Sequence, residues 1–311
     1  MGIIKKARKK FLKVYRLVQP PRSKWSLQKL IRSDMERYEE VFGYKFDINN
    51  PQTFTEKIQW YKFFYKNNDL KRIVDKHDFK EYIKEKLGEG YTIPLLGTYT
   101  SFREIELAWT DMPKEFCLKS TVSGNGHNIL IIRNKDDFDL KKHAKQIKSW
   151  FNPRNTLINS NGTGYHQCIP RVIAEEYMEN IAGQLFDYKF FCFSGKPLII
   201  YAASEHFKNT DHHNGYPIAF YDIDWNKQNV RYGQHRNDDI PPPKHLNKMI
   251  EISSLLSKDF PFVRVDFFDT IEKLYVAEMT FYPGGGFTHY QPEEFNAWLG
   301  KNFIIPKRDT K

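Results

Sequence analysis

One stretch, residues 262–287 with the sequence FVRVDFFDTIEKLYVAEMTFYPGGGF, constrains the fold more than any other part of the chain. Apolar Val263, Val265 and Phe267 alternate with polar Arg264 and Asp266. A second apolar series follows a polar turn of five residues. Alternation of β-branched and aromatic residues on both sides of a turn is typical of paired strands. The stretch therefore predicts a β-hairpin.

Two carboxylates, Asp266 and Glu278, fall in opposite arms of this hairpin. Side chains on paired strands can share a face a few ångströms apart. Like charges at that range repel, so a cation is expected between them, and Mg²⁺ prefers such oxygen ligands where phosphates are also bound. The alternative is an edge hairpin with two solvated acids. The Pro283–Gly286 turn favours the cation site, because glycine lets backbone approach a ligand closely.

Composition bounds the class of protein. The 311 residues are enough for two or three lobes, and the 16% of aromatic residues must fill a core or line a groove. The net charge of +10 favours phosphate-rich ligands, anionic polysaccharide or anionic lipid. Nucleic acid is not expected, because the lysines are spread along the chain without a recognised binding module. Cys117, Cys168 and Cys192 lie far apart, which predicts buried, reduced thiols.

The N-terminal residues 1–17 are basic, with apolar residues interspersed. Such a segment predicts either an amphipathic helix on an anionic membrane surface or a solvated terminus. No run of about 18 apolar residues is present, and no secretory signal is recognisable. We expect a cytoplasmic protein, with peripheral contact at the inner face of the membrane through residues 1–17 as the alternative.

Periodicity and capping signals predict an α+β fold in the order helices, mixed elements, then mostly antiparallel strands. The predicted helices are residues 24–42 capped by Ser23, one opened by Thr53 and Glu56, 69–86, 136–151 and 246–257. The predicted strands are 91–100, 115–119, 128–133, 171–177, 187–193, 197–204, 218–223 and the two arms of the hairpin. The predicted domains are a basic helical segment 1–45, an N-terminal subdomain 46–110, a first lobe 111–178 and a second lobe 179–305.

A glycine-containing loop, residues 120–127, follows the strand that ends at Lys119. Backbone N–H groups around Gly124 and Gly126 could wrap phosphate oxygens, and the lysine would supply charge. The loop lacks the G-K-[ST] ending of a Walker A motif. By itself it is equally compatible with a plain turn. Likewise, the strand ending in Glu175, Glu176 and Tyr177 is compatible with an adenine-binding edge or with a solvated acidic terminus.

The order of these features resembles the ATP-grasp fold, and more narrowly the TupA-like ATP-grasp family named for teichuronopeptide biosynthesis. The runs that carry the likeness extend from about residue 54 to 300: FTEKIQWYK, VDKHDFKEYIKEKLG, IPLLGTY, PRVIAEEYME, DYKFFCFSGKP, FYDIDWN, LSKDFPFVRVDFF and AEMTFYPGGGF. The resemblance implies two α+β lobes that clasp ATP, preceded by a helical N-terminal region, with ATP and Mg²⁺ as cofactors.

The resemblance also implies a role for each matching position. On the phosphate side, Lys76 and Lys119 would hold the α- and β-phosphates, and the loop residues Ser123, Gly124 and Gly126 would cover them. On the nucleoside side, the adenine hinge would be formed by Glu175, Glu176 and Tyr177, and Asp187 would bind the ribose hydroxyls with Lys189 beside the nucleotide. Mg²⁺ would be held by Asp266, Glu278 and Thr280, and Arg264 would face the γ-phosphate or an acyl phosphate. Arg264 and Lys119 would be catalytic. The common pattern has Asn where Thr280 stands, and a hydroxyl is a poorer metal ligand.

The resemblance implies an ATP-dependent carboxylate–amine ligase. The resemblance implies an acidic sugar or polysaccharide precursor as one partner and an amino acid or amine as the other. One alternative is a glycosyltransferase that holds a sugar nucleotide through the Asp222-x-Asp224 triplet. A second is a nucleotide-binding protein without catalysis. A polar loop containing His206, Asp211, His212 and His213 is expected on the substrate side.

Overall fold

The computed structural model describes residues 25–122, 128–152, 168–178, 185–205, 217–233, 235, 237–270 and 272–307. The basic segment 1–17, the loop residues Ser123, Gly124 and Gly126, and the polar loop with His206, Asp211, His212 and His213 lie outside these ranges. Within them, no helix combines the length and the hydrophobicity needed to cross a bilayer.

Eight α-helices occur in the described part of the chain: α1 (Leu27–Phe42), α2 (Phe54–Phe64), α3 (Leu70–Val74), α4 (Asp78–Leu87), α5 (Phe102–Ala108), α6 (Leu140–Trp150), α7 (Leu246–Ser257) and α8 (Glu293–Asn302). Helix α2 begins with the predicted capping box, in which the Thr53 and Glu56 side chains each accept from the other's backbone N–H. Helix α1 is capped by Ser26, so the prediction of Ser23 as its cap is wrong.

The predicted helix 69–86 is broken in two. Oδ1 of Asp75 accepts hydrogen bonds from the N–H groups of His77 (3.0 Å) and Asp78 (3.2 Å), and this local turn ends α3 and starts α4. The break removes Lys76 from the helix. Similarly, the predicted helix 136–151 begins only at Leu140, because Asp139 caps it and Asp136 lies in a short 3₁₀ turn.

Twelve strands form three sheets in the described residues: β1 (Leu95–Tyr99), β2 (Phe116–Ser120), β3 (Ile129–Ile132), β4 (Val172–Glu176), β5 (Leu185–Phe193), β6 (Lys196–Glu205), β7 (Ile218–Tyr221), β8 (Lys227–Gln228), β9 (Arg231–Tyr232), β10 (Val263–Asp269), β11 (Leu274–Thr280) and β12 (Tyr290–Gln291). The first sheet has the order β1-β4-β2-β3 and the second β11-β10-β5-β6-β7-β8, while β12 pairs with β9. All pairings are antiparallel.

Each large sheet has its own hydrophobic core. Helices α5 and α6 pack on the four-stranded sheet, with Phe116 and Trp150 fully buried between them. Helices α2, α3, α4 and α7 share a larger, aromatic-rich core with the six-stranded sheet. There the ring centroid of Phe54 lies 4.9 Å from that of Phe262. The three cysteines are free; Cys117 and Cys192 are buried, whereas Cys168, which was expected to be buried, is partly exposed.

The glycine turn Pro283–Gly286 lies directly after β11 and packs against α2. Gly284, Gly285 and Gly286 all have positive φ angles, of 58°, 62° and 73°. A Cβ on Gly286 would lie 2.7 Å from Nε2 of Gln59, so only glycine fits here. The side chains of Gln59 and Lys62 both donate to the Gly285 carbonyl oxygen at 3.0 Å. Among the described residues, the close contact of this turn is with α2.

Candidate functional site

The central feature of the site is a row of charged side chains across three strands of the six-stranded sheet. Lys189 on β5 is paired with Asp266 on β10, and Asp266 is paired with Glu278 on β11. Directly paired residues project from the same face. A bulge follows Asp266, because Phe267 pairs with Val276 and leaves one extra residue in β11. The hairpin therefore brings Asp266 and Glu278 to one face, as its alternation predicts.

Arg264 and Asp266 form a two-pronged ion pair within β10. Nε of Arg264 donates to Oδ1 of Asp266 at 2.7 Å, and Nη2 donates to Oδ2 at 2.6 Å. Nη2 also donates to the Thr280 hydroxyl at 3.1 Å. Burial alone would lower the pKa of Arg264, but Asp266, with help from Glu278 and Asp187, raises it instead. The guanidinium is thus held rigidly beside the paired carboxylates.

Lys189 joins the same cluster from β5. Its Nζ contacts Oδ2 of Asp187 and lies 3.2 Å from Oδ2 of Asp266. Burial would lower the pKa of this lysine, but the two carboxylates outweigh burial and raise it above its usual value. This sheet face therefore carries two cations and three carboxylates, distributed over three neighbouring rows of paired residues. Lys189 connects Asp187 to Asp266.

A second ionic cluster lies on the four-stranded sheet. Glu175 on β4 is almost completely buried, and its two oxygens bind different lysines: Oε1 lies 2.5 Å from Nζ of Lys80, and Oε2 lies 2.6 Å from Nζ of Lys119. Burial opposes ionisation of Glu175, but the two lysines lower its pKa below the usual value. Burial likewise opposes the charge of Lys119, and Glu175 raises its pKa.

The two clusters are in electrostatic contact. Glu278 of the six-stranded sheet contributes to the raised pKa values of both Lys119 and Arg264. The attraction between opposite charges falls off with distance and is screened by salt. Glu278 therefore lies within electrostatic range of Lys119 on the four-stranded sheet as well as of Arg264 on its own sheet.

Lys76 lies in the turn between α3 and α4. Its backbone N–H donates to the Thr121 carbonyl oxygen at 3.0 Å, which fixes this turn to the end of β2. The adjacent Asp75 and Asp78 both accept from Nη2 of Arg171 at 2.8 Å. Asp75, His77 and Asp78 have ligand atoms close enough together for a metal ion, but the Arg171 guanidinium occupies this position.

The predicted adenine hinge comprises the end of β4 and the residues after it. Glu176 is exposed, and its backbone N–H donates to the Pro94 carbonyl oxygen at 3.1 Å. The guanidinium carbon of Arg133 lies over the Tyr177 ring, 5.5 Å from the ring centroid. Any adenine contact here would therefore use backbone groups other than the Glu176 N–H.

The Asp222-x-Asp224 triplet forms a capped turn. Oδ1 of Asp222 accepts from the N–H groups of Asp224 (3.0 Å) and Asn226 (2.8 Å), and Oδ2 accepts from the Asn226 side chain (3.0 Å). This is the Asx pattern that terminates a strand. The triplet therefore stabilises a turn, and this structural role weakens the glycosyltransferase alternative.

The sequence predictions missed Lys80 and Arg171 as parts of the charged network. Both make ion pairs over separations of more than 90 residues, Lys80 with Glu175 and Arg171 with Asp75. The sequence contained one signal for Lys80, its spacing of four residues from Lys76, which corresponds to about one helical turn near the start of α4. That spacing alone does not identify a partner on β4.

Comparisons with solved structures find a distant likeness to two ligases and to a biotin carboxylase domain. A D-alanine–D-alanine ligase from Bacillus anthracis is 17% identical with a TM-score of 0.40, over 73% of this chain and 63% of the ligase. The ligase of the same name from Helicobacter pylori is 13% identical with a TM-score of 0.43, over 75% of this chain and 61% of the ligase. The biotin carboxylase domain of a Hydrogenobacter thermophilus 2-oxoglutarate carboxylase is 15% identical with a TM-score of 0.43, over 77% of this chain and 47% of that one.

The chain thus spans about three fifths of the length of the two D-alanine–D-alanine ligases. Curated protein sequences yield no match. Among protein families, the one described as TupA-like ATP-grasp matches residues 56–304, which is most of the chain. This extent confirms the fold class inferred from the order of the sequence motifs. The chain belongs to the TupA-like ATP-grasp family.

Proposed function

We propose that this protein is an ATP-dependent ligase that joins a carboxylate to an amine through an acyl-phosphate intermediate. The observation that carries the proposal is the charged cluster of the six-stranded sheet, in which Arg264 and Lys189 contact Asp266 and Asp266 is paired with Glu278. Phosphoryl transfer requires alignment and neutralisation of negative charge more than a covalent nucleophile. Membership of the ATP-grasp family supports the same reaction class.

The nucleotide would lie between the two sheets. Lys76 and Lys119 would contact the α- and β-phosphates, with Ser123, Gly124 and Gly126 above them. Glu175, Glu176 and Tyr177 would hold the adenine through the backbone. Asp187 would bind the ribose hydroxyls, and Lys189, which touches both Asp187 and Asp266, would connect the ribose side of the site to the phosphate side.

The residues present also fit Mg²⁺. Asp266 and Glu278 supply hard oxygen ligands from paired strand positions, with the Thr280 hydroxyl as a third oxygen. Oδ2 of Asp266 accepts from both Arg264 and Lys189, whereas Oδ1 accepts from Arg264 and has a second lone pair for a cation. When bound, Mg²⁺ would neutralise part of the phosphate charge.

The reaction has two steps. A carboxylate oxygen of the first substrate attacks the γ-phosphorus, the bond to the β-phosphate oxygen breaks, and ADP leaves. The amine nitrogen then attacks the acyl carbon, phosphate leaves with the bonding electrons, and the nitrogen loses a proton. Arg264 would stabilise the negative charge on the transferring group and on the acyl phosphate, because its guanidinium is fixed by Asp266 and Thr280.

We further propose that the carboxylate belongs to an acidic sugar or polysaccharide precursor of the cell surface, and that the amine is an amino acid or amino compound. Support comes from the family to which the chain belongs and from its net charge of +10, which suits an anionic substrate.

Product analysis tests the reaction class. The protein, MgATP and a carboxylate probe such as glucuronic acid or poly-glutamate are incubated with hydroxylamine in place of the amine. We expect equal amounts of ADP and phosphate, together with a hydroxamate that requires ATP. Arg264→Ala should abolish the trapping, whereas Arg72→Ala, which removes an exposed ion pair with Glu85, should not. AMP as the main product, or ATP-independent hydroxamate, would refute the proposal.

A further inference from the structure

The buried group of Glu175, Lys80 and Lys119 has one member, Lys80, to which the sequence assigned no role. Lys80 lies on α4, whereas Glu175 and Lys119 lie on adjacent strands, β4 and β2. The carboxylate is divided between the two lysines at 2.5 Å and 2.6 Å. All three side chains are at most 17% exposed. Charges buried to this degree persist only when they are paired, so the three groups depend on one another.

Lys80 also contacts the backbone that supports the adenine hinge. Its Nζ donates to the Ile93 carbonyl oxygen at 2.6 Å. The next carbonyl group, that of Pro94, accepts the Glu176 N–H at 3.1 Å. A single lysine therefore holds both the side chain of Glu175 and the segment that pairs with Glu176.

The net charge of this group is +1, from two lysines and one carboxylate. In the absence of nucleotide, Glu175 neutralises most of the charge that would otherwise repel Lys119 from Lys80. If a phosphate draws Lys119 away, Glu175 still has Lys80 as its partner. Without Lys80, the same movement would leave a buried carboxylate unpaired, which is strongly unfavourable.

We propose that Glu175 is an internal counter-ion which Lys119 exchanges for a nucleotide phosphate, and that Lys80 is the positioning residue that makes this exchange possible. The inference rests on the proposed function, since it requires ATP to bind beside Lys119. It adds to that function a control of nucleotide affinity: Lys80, which is not proposed to contact the ligand, determines how readily Lys119 is released from Glu175.

Calorimetric titration of MgATP and of adenosine separates this role from simple packing. The variants are Lys80→Met, Lys80→Arg, Glu175→Gln and the double variant Lys80→Met/Glu175→Gln. Lys57→Met is the matched control, because Lys57 is also a half-buried lysine that donates to two backbone carbonyl groups, those of Gly300 and Phe303, but in a region remote from β4. Thermal unfolding establishes that each variant is folded.

We expect Lys80→Met to weaken MgATP binding roughly tenfold or more, as removal of one partner of a buried ion pair does. Adenosine, which has no phosphate, should bind to Lys80→Met almost as it does to the wild type. Lys80→Arg keeps the charge and should recover most of the MgATP affinity. In the Glu175→Gln background, Lys119 has no carboxylate to leave, so the further loss caused by Lys80→Met should be much smaller.

Lys80→Met removes the long-range attraction between Lys80 and the phosphates equally in the wild-type and Glu175→Gln backgrounds. The difference between the two losses of MgATP affinity therefore measures the exchange of Lys119 from Glu175 to phosphate. Equal losses in the two backgrounds, or equal weakening of adenosine and MgATP, would overturn the inference. A loss of MgATP affinity in Lys57→Met as large as in Lys80→Met would do the same. If the wild type binds no MgATP, the proposed function itself fails, whereas wild-type binding with an unaffected Lys80→Met refutes only the exchange.

Discussion

Asp266 and Glu278 face each other across two strands, yet their surroundings differ. Asp266 is 2% exposed and is bound by both Arg264 and Lys189. Glu278 is only half-buried and makes no hydrogen bond or ion pair that the described residues show. Asp266 therefore has a structural role in addition to its proposed metal role, whereas the proposed metal role is the one role assigned to Glu278.

This difference leads to a prediction for the two isosteric amides. Asp266→Asn removes the negative charge from two buried cations and should lower the free energy of unfolding by about 3 kcal/mol. Glu278→Gln should change it by less than about 1 kcal/mol. Both should abolish ATP turnover, because each removes a proposed Mg²⁺ ligand. Urea denaturation and ADP release measure the two effects, and near-normal turnover in Glu278→Gln would contradict the proposed metal site.

The ion pairs of Glu175 predict a pH dependence of stability. Burial raises the pKa of Glu175, but the attraction of Lys119 and Lys80 is larger, so the pKa lies below the ordinary value of 4.5. Between the folded and unfolded pKa values the unfolded chain binds more protons, so the stabilisation is complete above about pH 4.5 and is lost as the pH falls below it. Glu175→Gln should therefore reduce the slope of unfolding free energy against pH in this acidic range. An unchanged slope would show that the carboxylate is not paired.

At the scale of elements, the position of β11 depends on how the turn after it is held. Gln59 and Lys62 of α2 both bind the Gly285 carbonyl oxygen, and Nζ of Lys62 lies 2.6 Å from Oδ2 of the buried Asp34 on α1. The two N-terminal helices thus fix the end of the strand that carries Glu278 and Thr280.

Two glycines with similar backbone conformations test this coupling. Gly286 and Gly43 both have left-handed φ angles, +73° and +80°, so alanine is strained at either position by about 1 kcal/mol. A Cβ at Gly43 has no atom within 4 Å, whereas one at Gly286 would meet Gln59 and Ile58. Gly286→Ala should therefore destabilise the protein more than Gly43→Ala and should also reduce ATP turnover, measured as above. Equal effects of the two substitutions would show that the contact with α2 does not position β11.

At the scale of the whole molecule, the sequence predicts local features well and long-range pairings poorly. The hairpin, the Thr53–Glu56 capping box and the helix 246–257 depend on residues close in sequence, and the structure contains all three. The break at Asp75 and the pairing of Lys80 with Glu175 depend on side chains whose partners are fixed only when β4 and α4 pack together. The family resemblance supplied the order of motifs, but it did not supply these contacts.

The separation into two cores leads to a prediction for the molecule as a whole. Lys119 belongs to the sheet whose core contains Trp150, and Asp266 belongs to the sheet whose core contains Phe267. A nucleotide that binds both clusters would contact both sheets at once. A ligand that binds only the folded state stabilises that state by mass action, by about 2.7 kcal/mol when the ligand concentration is one hundred times the dissociation constant.

Amide hydrogen exchange should therefore slow in both sheets when MgATP is added, with protection at β2 and β4 on one side and at β10 and β11 on the other. Adenosine, which has no phosphates to reach Arg264 and Asp266, should protect β4 and leave β10 and β11 unchanged. Lys119→Met should reduce the protection by MgATP toward that by adenosine, because the lysine is proposed to bind the phosphates. Protection by MgATP confined to a single sheet would contradict a site shared between the two, since the phosphates would then not reach the carboxylates of the hairpin.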